Sequence, residues 1–359
     1  MYKNIPILII LLLAVSCTQK EIKNAAFYYW KTEYHFDKQD QQLADELGVS
    51  KFYIRYFDVD WSATRKEAIP VAPISIPWDD KIPEHFVPCV FITNTVMLKS
   101  SQNQLDSLAI RMKKKIEALT LEIFQIREYA YEDQPDSIKS KLKNEWPEIQ
   151  IDCDWTPTSK ANYFYFLKKF KEVFPDKKIS ATLRLWQFKY QDKAGIPPVD
   201  KVMLMCYSIG NPKEYNIENS LATYKDIAAY IKDQKYILPV DIALPVFNWG
   251  VLFRNKKFKG IIGDVDAGSI ASDTERYTHI DANRYSFKYD TVAGNTYIRY
   301  GDELRLESLD PDDMDDLIKL IRKSEFYNDK STIVFFSWDT SYIQHYGKET
   351  IKNYYRRFN

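Results

Sequence analysis

The chain has 359 residues, 45% hydrophobic, 28% charged and 15% aromatic, an apolar share that excludes a disordered or collagen-like protein. Its 50 Lys and Arg balance 50 Asp and Glu, so the basic excess of a nucleic-acid binder is missing and no nucleic-acid partner is expected. The 26 Tyr, 20 Phe and 8 Trp can fill a core or stack on sugar rings, and composition does not separate those uses.

Residues 1–16 read as a secretory signal: Met1-Tyr2-Lys3-Asn4 is a basic start, Ile5 to Val15 an apolar core, and Ser16 a small residue before a cut. The core is too short to span a bilayer, which takes roughly 20 apolar residues. Ala14-Val15-Ser16-Cys17 resembles the bacterial lipoprotein box. The resemblance implies that the Cys17 thiol carries lipid as the new N-terminus and that residues 17–24 form a polar tether. Each buried methylene of an acyl chain contributes about 0.8 kcal/mol, so two or three chains anchor a protein stably. The implied location is the bacterial cell envelope, with the outer membrane as the expected site of anchoring.

Strand-like and helix-like runs then alternate. The expected strands are Phe27–Thr32, Lys51–Asp60, Phe86–Met97, Ile149–Trp155, Ile179–Phe188, Lys201–Tyr207, Ile237–Phe247 and Thr332–Trp338. Expected helices include Gln41–Leu47, stopped by Gly48, and Asn103–Arg127, where Leu105, Leu108, Met112, Ile116, Leu119 and Ile123 recur at helical spacing. Lys160–Phe174, Asn219–Lys232, Met314–Lys323 and Lys348–Arg357 complete the set. Pro70, Pro73, Pro77 and Pro83 mark a stretch read as an irregular loop. The pattern predicts α/β architecture, and eight strands suit a closed (β/α)8 barrel over residues 25–359. Lys256 to Leu309 breaks the rhythm and reads as a small β-rich insertion after strand seven. Within it, Tyr285–Tyr289 and Thr296–Tyr300 flank a Val292-Ala293-Gly294-Asn295 turn. Cys89, Cys153 and Cys206 sit in separate strand-like runs, which gives no disulfide framework. The four histidines are far apart and no Cys-x-x-Cys occurs, so neither a metal nor another cofactor is expected.

Function in such barrels gathers at the C-terminal ends of the strands. On strand four, Asp152, Asp154 and Thr156 share one face, because side chains alternate; Trp155 faces the other way. Tyr207 ends strand six, and Trp338-Asp339 follows strand eight, where an indole can floor a sugar site. Strand two ends Asp58-Val59-Asp60-Trp61, a second pair of acids on one face. Glu33, after strand one, is a weaker candidate.

These strand ends resemble the chitinase-like barrels of glycoside hydrolase family 18. The family's fourth strand carries Asp-x-x-Asp-x-Asp-x-Glu, and Ile151-Asp152-Cys153-Asp154-Trp155-Thr156 is similar to its second half. Met205-Cys206-Tyr207-Ser208, Leu244-Pro245-Val246-Phe247 and Phe336-Ser337-Trp338-Asp339 resemble its sixth, seventh and eighth strand ends, and Val199-Asp200 its approach to strand six. In the family, the final Glu protonates the glycosidic oxygen while its neighbouring Asp orients the substrate's N-acetyl group. Here that Glu position is Thr156, Ile149 stands for the first Asp, and Ser208 replaces the residue after the Tyr. A threonine hydroxyl is too weak an acid, and general acid catalysis is worth roughly 10²–10⁴-fold.

Three functions follow as expectations. The leading one is binding of a glycan, N-acetylated sugars among the candidates, without the family's hydrolysis, with Asp154, Asp152 and Tyr207 holding polar groups and Trp338, Thr156 and Asp339 contributing to the sugar site. The second is a glycosidase whose acid has moved to Asp58 or Asp60, since crowded carboxylates raise one another's pKa. The third is an envelope scaffold without a ligand.

Overall fold

The computed structural model describes residues 22, 24–78, 80–130, 146–263, 265–293 and 296–358. The expected signal, Cys17, Gly294 and Asn295 lie outside them. Among the described residues, no helix is long and apolar enough to cross a membrane.

Eight parallel strands close on themselves: β1 (Ala25–Tyr29), β2 (Lys51–Ser62), β3 (His85–Ile92), β4 (Glu148–Asp152), β5 (Lys178–Arg184), β6 (Lys201–Met205), β7 (Val240–Pro245) and β8 (Ile333–Phe336). Each pairs with the next, and β1 pairs with both β8 and β2, which closes the ring. The fold is a (β/α)8 barrel. Every residue of β4 and β7 is buried, as strands covered on both faces must be.

The main outer helices are α1 (Lys38–Leu47), α2 (Gln102–Ala130), α3 (Lys160–Val173), α4 (Tyr224–Ile231), α5 (Pro311–Lys323) and α6 (Lys348–Phe358). The ends of α1 follow from its sequence. The Asp37 carboxylate caps the amides of Gln39 and Asp40, and Gly48 closes the helix in the left-handed region at φ 72°. Asp310-Pro311-Asp312-Asp313 reads in the sequence as a capped helix start, and it is one: Asp310 caps α5 and Pro311 fills its first turn, ahead of the apolar run from Met314. Asn219–Ala222 is a turn rather than helix: the Asn219 side chain accepts from the Leu221 amide, and α4 begins only after its cap, Thr223.

Seven of the eight barrel strands end earlier than expected, and at two of them the chain goes straight on as helix. After Ile92 the apolar run continues as a helix, Asn94–Lys99, because a short apolar run carries no periodicity that separates strand from helix. After Arg184 the chain turns into Leu185–Lys189, where the Arg184 amide donates to Gln187 Oε1 at 2.7 Å. The proline-rich stretch contains one strand, Glu67–Val71, antiparallel to β2. Pro70 is tolerated there because the strand is an edge.

Between β7 and α5, a five-stranded antiparallel sheet starts already at Trp249. Arg284–Phe287 pairs within this sheet instead of forming the expected hairpin; Thr291–Ala293 takes that place against Thr296–Ile298. The fully buried Arg305 ties the sheet to the barrel. It pairs with Glu307 at 2.6 Å and donates to the carbonyls of Pro212, Glu214 and Tyr215 in the loop after β6.

The N-terminal end of the barrel is floored by a compensated charge network. Lys201 Nζ lies 2.5 Å from Asp241 and 2.8 Å from Glu148, and Lys51 lies 3.6 Å from Glu148. The Ser180 hydroxyl and the Thr332 amide donate to the remaining carboxylate oxygens. Cys89, Cys153 and Cys206 are buried free thiols.

Candidate functional site

At the opposite, C-terminal end, a hollow of about 200 Å³ opens among the strand tips. Its polar lining is Asp152, Asp154, Thr182, Arg184, Tyr207 and Ser208. Its apolar lining is Tyr28, Trp30, Phe91, Met205 and Phe336. Strand alternation explains the composition, since Asp152 and Asp154, Thr182 and Arg184, and Met205 and Tyr207 are each two apart.

Two acids share this space in different states. Asp154 is held by a bidentate pair: Arg184 Nε and Nη2 reach its two oxygens, both at 2.6 Å. Arg184 Nη1 donates to the Ser208 carbonyl at 3.2 Å, and Ser208 adopts the left-handed region at φ 54°. Asp152 is 9% exposed and accepts a hydrogen bond from the Thr182 hydroxyl at 2.6 Å. Burial first, and then the neighbouring Asp154, push the Asp152 carboxyl up to about 7; Thr182 and Arg184 oppose the rise. Burial also pushes the Tyr207 and Tyr28 phenols up, so both remain hydroxyls. The Tyr28 hydroxyl donates downward to Gln150 Oε1 at 2.5 Å.

The remaining candidates lie elsewhere. Trp338 is sealed in the core, 2% exposed, with its ring edge-on to Phe27 and Phe52 at 5.1 and 5.2 Å. Its indole N–H donates to buried Asp40 of α1 at 2.9 Å. The aromatic place expected for Trp338 is filled by Phe336 and Trp30. Asp339 caps the helix Thr340–Tyr346 and pairs with Lys31 at 2.7 Å. Thr156 has left the strand: β4 ends at Asp152, and the Thr156 amide donates to Ser159 Oγ in the turn that starts α3. Thr156 therefore does not line the hollow. Trp155 points into the helix layer, stacked on Tyr163 at 4.9 Å.

The second acid pair does not line the hollow either. Asp58 Oδ2 pairs with Arg55 at 2.6 Å, and Asp58 Oδ1 is buried without a partner. Asp58 does sit in register with Phe91, which is in register with Asp152, so its charge adds to the rise at Asp152. Asp60 accepts from the Thr93 hydroxyl at 2.8 Å and is exposed. Glu33 is exposed beside Ser75, away from the hollow. Asp200 positions strands, accepting from the Ile179 amide at 2.8 Å and pairing with Lys171.

His35, Asp37 and Asp40 have potential ligand atoms within 4.8 Å of one another. Asp37 and Asp40 are already engaged in the reciprocal cap of α1, which accounts for their closeness. Sequence reasoning missed Tyr28, Trp30, Phe91, Thr182, Arg184 and Phe336 as lining residues. The usable signal was the alternation Thr182-Leu183-Arg184 at the end of strand five.

No protein-family model and no curated protein matches the chain. Among solved structures, concanavalin B is similar over 92% of this chain and 98% of its own, at 11% identity and TM-score 0.40. Active domain 2 of a thermostable chitinase from Pyrococcus furiosus is similar over 87% of this chain and 82% of its own, at 11% identity and TM-score 0.37. The C-terminal domain of Legionella pneumophila ChiA is similar over 92% and 96%, at 11% identity and TM-score 0.33. At these scores the likenesses carry nothing about this chain's ligand or chemistry.

Proposed function

We propose that this chain is a lipid-anchored envelope protein whose barrel mouth binds one end of a glycan and does not cleave it by the family 18 route. One observation carries the reading. Asp152, Asp154, Arg184 and Tyr207 converge with Trp30, Phe91 and Phe336 on a single hollow at the C-terminal strand ends. Aromatic walls with a few convergent polar groups are the ordinary build of a small-ligand site, and aromatic rings pack well against the CH faces of a sugar. The volume suits one ring of a chain end rather than a long polymer segment. No described residue of the proline-rich stretch 70–83 lines the hollow, which weighs against an inert scaffold.

Hydrolysis by a relocated acid at Asp58 or Asp60 has little support, because both carboxylates are engaged outside the hollow. Asp152 favours a second reading. A carboxyl that titrates at about 7 beside another acid can act as a proton donor near neutrality. A glycan array and a hydrolysis screen on the full chain separate the two. Binding without turnover, lost in Asp154→Ala, is expected. Turnover that disappears in Asp152→Asn gives the second reading instead, and an empty array rejects both. The lipid anchor rests on the Ala14-Val15-Ser16-Cys17 segment. Its test is mass spectrometry of the membrane-fraction protein and of Cys17→Ser, which is expected to lose the acyl mass.

A further inference from the structure

The charges at the mouth are paired, with one exception. Asp154 holds Arg184 through both oxygens, and Asp58, behind Phe91, holds Arg55. Asp152 has the Thr182 hydroxyl, and among the described residues no Lys or Arg lies within ion-pairing distance of it. The groups that act on it electrostatically are Asp154 two residues past the end of its own strand, Arg184 on β5 and Asp58 on β2. Around this carboxyl stand aromatic walls. Trp30 and Tyr28 meet at 85° with ring centroids 5.6 Å apart, and Phe336 lies 5.6 Å from Tyr28 and 5.1 Å from Tyr207.

A carboxyl on the floor of an aromatic box is the chemistry that holds an ammonium group. Ring faces attract a cation through their quadrupole, and the carboxylate supplies the opposite charge where water is scarce. An acetamide offers Asp152 one neutral N–H and leaves its charge uncompensated, whereas an ammonium offers three donors and the missing positive charge. An acidic sugar would meet two carboxyls and an arginine that is already engaged.

We infer that the glycan seated in this hollow presents a free, protonated amino group to Asp152, so that its terminal unit is an amino sugar without an acetyl group. This rests on the glycan reading above and adds the charge of the ligand.

The test is calorimetric titration of the full chain at pH 7.5 with equal-length oligomers of glucosamine, N-acetylglucosamine and glucose, and separately with tetramethylammonium. Glucosamine oligomers are expected to bind about tenfold tighter than the other two, the scale of one desolvated cation–π and charge contact. Asp152→Asn is expected to erase that preference, and Glu325→Gln, at an exposed acid, to keep it. A preference that survives Asp152→Asn overturns the assignment to Asp152. A measurement on the unaltered chain stands beside the variant. Tetramethylammonium keeps its charge at every pH, so its affinity is expected to rise as pH is raised through about 7, where Asp152 loses its proton. A flat profile overturns the inference. Equal or tighter binding of the acetylated or neutral oligomers overturns it too while leaving the glycan reading intact. Binding of tetramethylammonium alone removes the glycan reading and keeps the ammonium site. No binding by any probe removes both.

Discussion

The two ends of the barrel treat buried acids in opposite ways. At the floor, Glu148 and Asp241 share Lys201, and each also accepts from neighbouring donors. At the mouth, Asp152 is also buried, at 9% exposed against 5% for Glu148 and 4% for Asp241, but has a threonine for a partner. A compensated buried pair is kept for structure, and breaking it costs several kcal/mol. An uncompensated acid in a hollow weakens the fold and is a site for a ligand or a proton. The difference between the ends therefore singles out the mouth for the proposed ligand more sharply than the number of acids does.

This contrast can be broken in graded steps. Lys201→Met leaves two buried carboxylates short of their cation and is expected to cost about 3–5 kcal/mol in urea unfolding. Trp338→Ala opens the core and orphans the buried Asp40 oxygen, with about 3–5 kcal/mol expected, whereas Trp30→Ala is expected to cost under about 1 kcal/mol and to abolish ligand binding. If the two tryptophans behave alike, the separation of core from hollow is wrong.

Asp152→Asn is expected to act in the other direction. Its folded pKa is raised, so the native state binds a proton that the unfolded state has already lost, and stability falls as pH climbs from about 4 to about 7. The amide variant removes that slope and is expected to be roughly 2–4 kcal/mol more stable than the parent above pH 7, as read by denaturation at stepped pH. The smallest effect belongs to Thr156→Glu. Position 156 lies in the turn before α3, so a carboxyl there is expected to change stability by about 0.5 kcal/mol or less and to produce no turnover of a chromogenic glycoside. Measurable hydrolysis would mean that a carboxyl at position 156 reaches the hollow.

The strands were readable because each is a short apolar run bounded by turn residues, and their alternation with amphipathic helices points to a parallel barrel. Strand ends were not, since Asn94–Lys99 and Leu185–Lys189 continue apolar runs as helices. At the site, Asp152, Asp154 and Tyr207 were legible because alternation within one strand is a local property. Trp338 misled because its real partners, Phe27, Phe36, Phe52 and Asp40, are remote in sequence. Ring closure brings them around it, and a buried indole N–H goes wherever an acceptor waits.

The sequence by itself determined the helix caps, the order of the barrel strands and the acids at their tips, all set by spacing along the chain. Which acid has a cation was decided only in three dimensions. Arg184 meets Asp154 and Arg55 meets Asp58, so Asp152 is left facing the hollow. Arg55 and Asp58 are neighbours on one strand, but Arg184 reaches Asp154 from the adjoining strand, and it is the pairing of β4 with β5 that sets that separation.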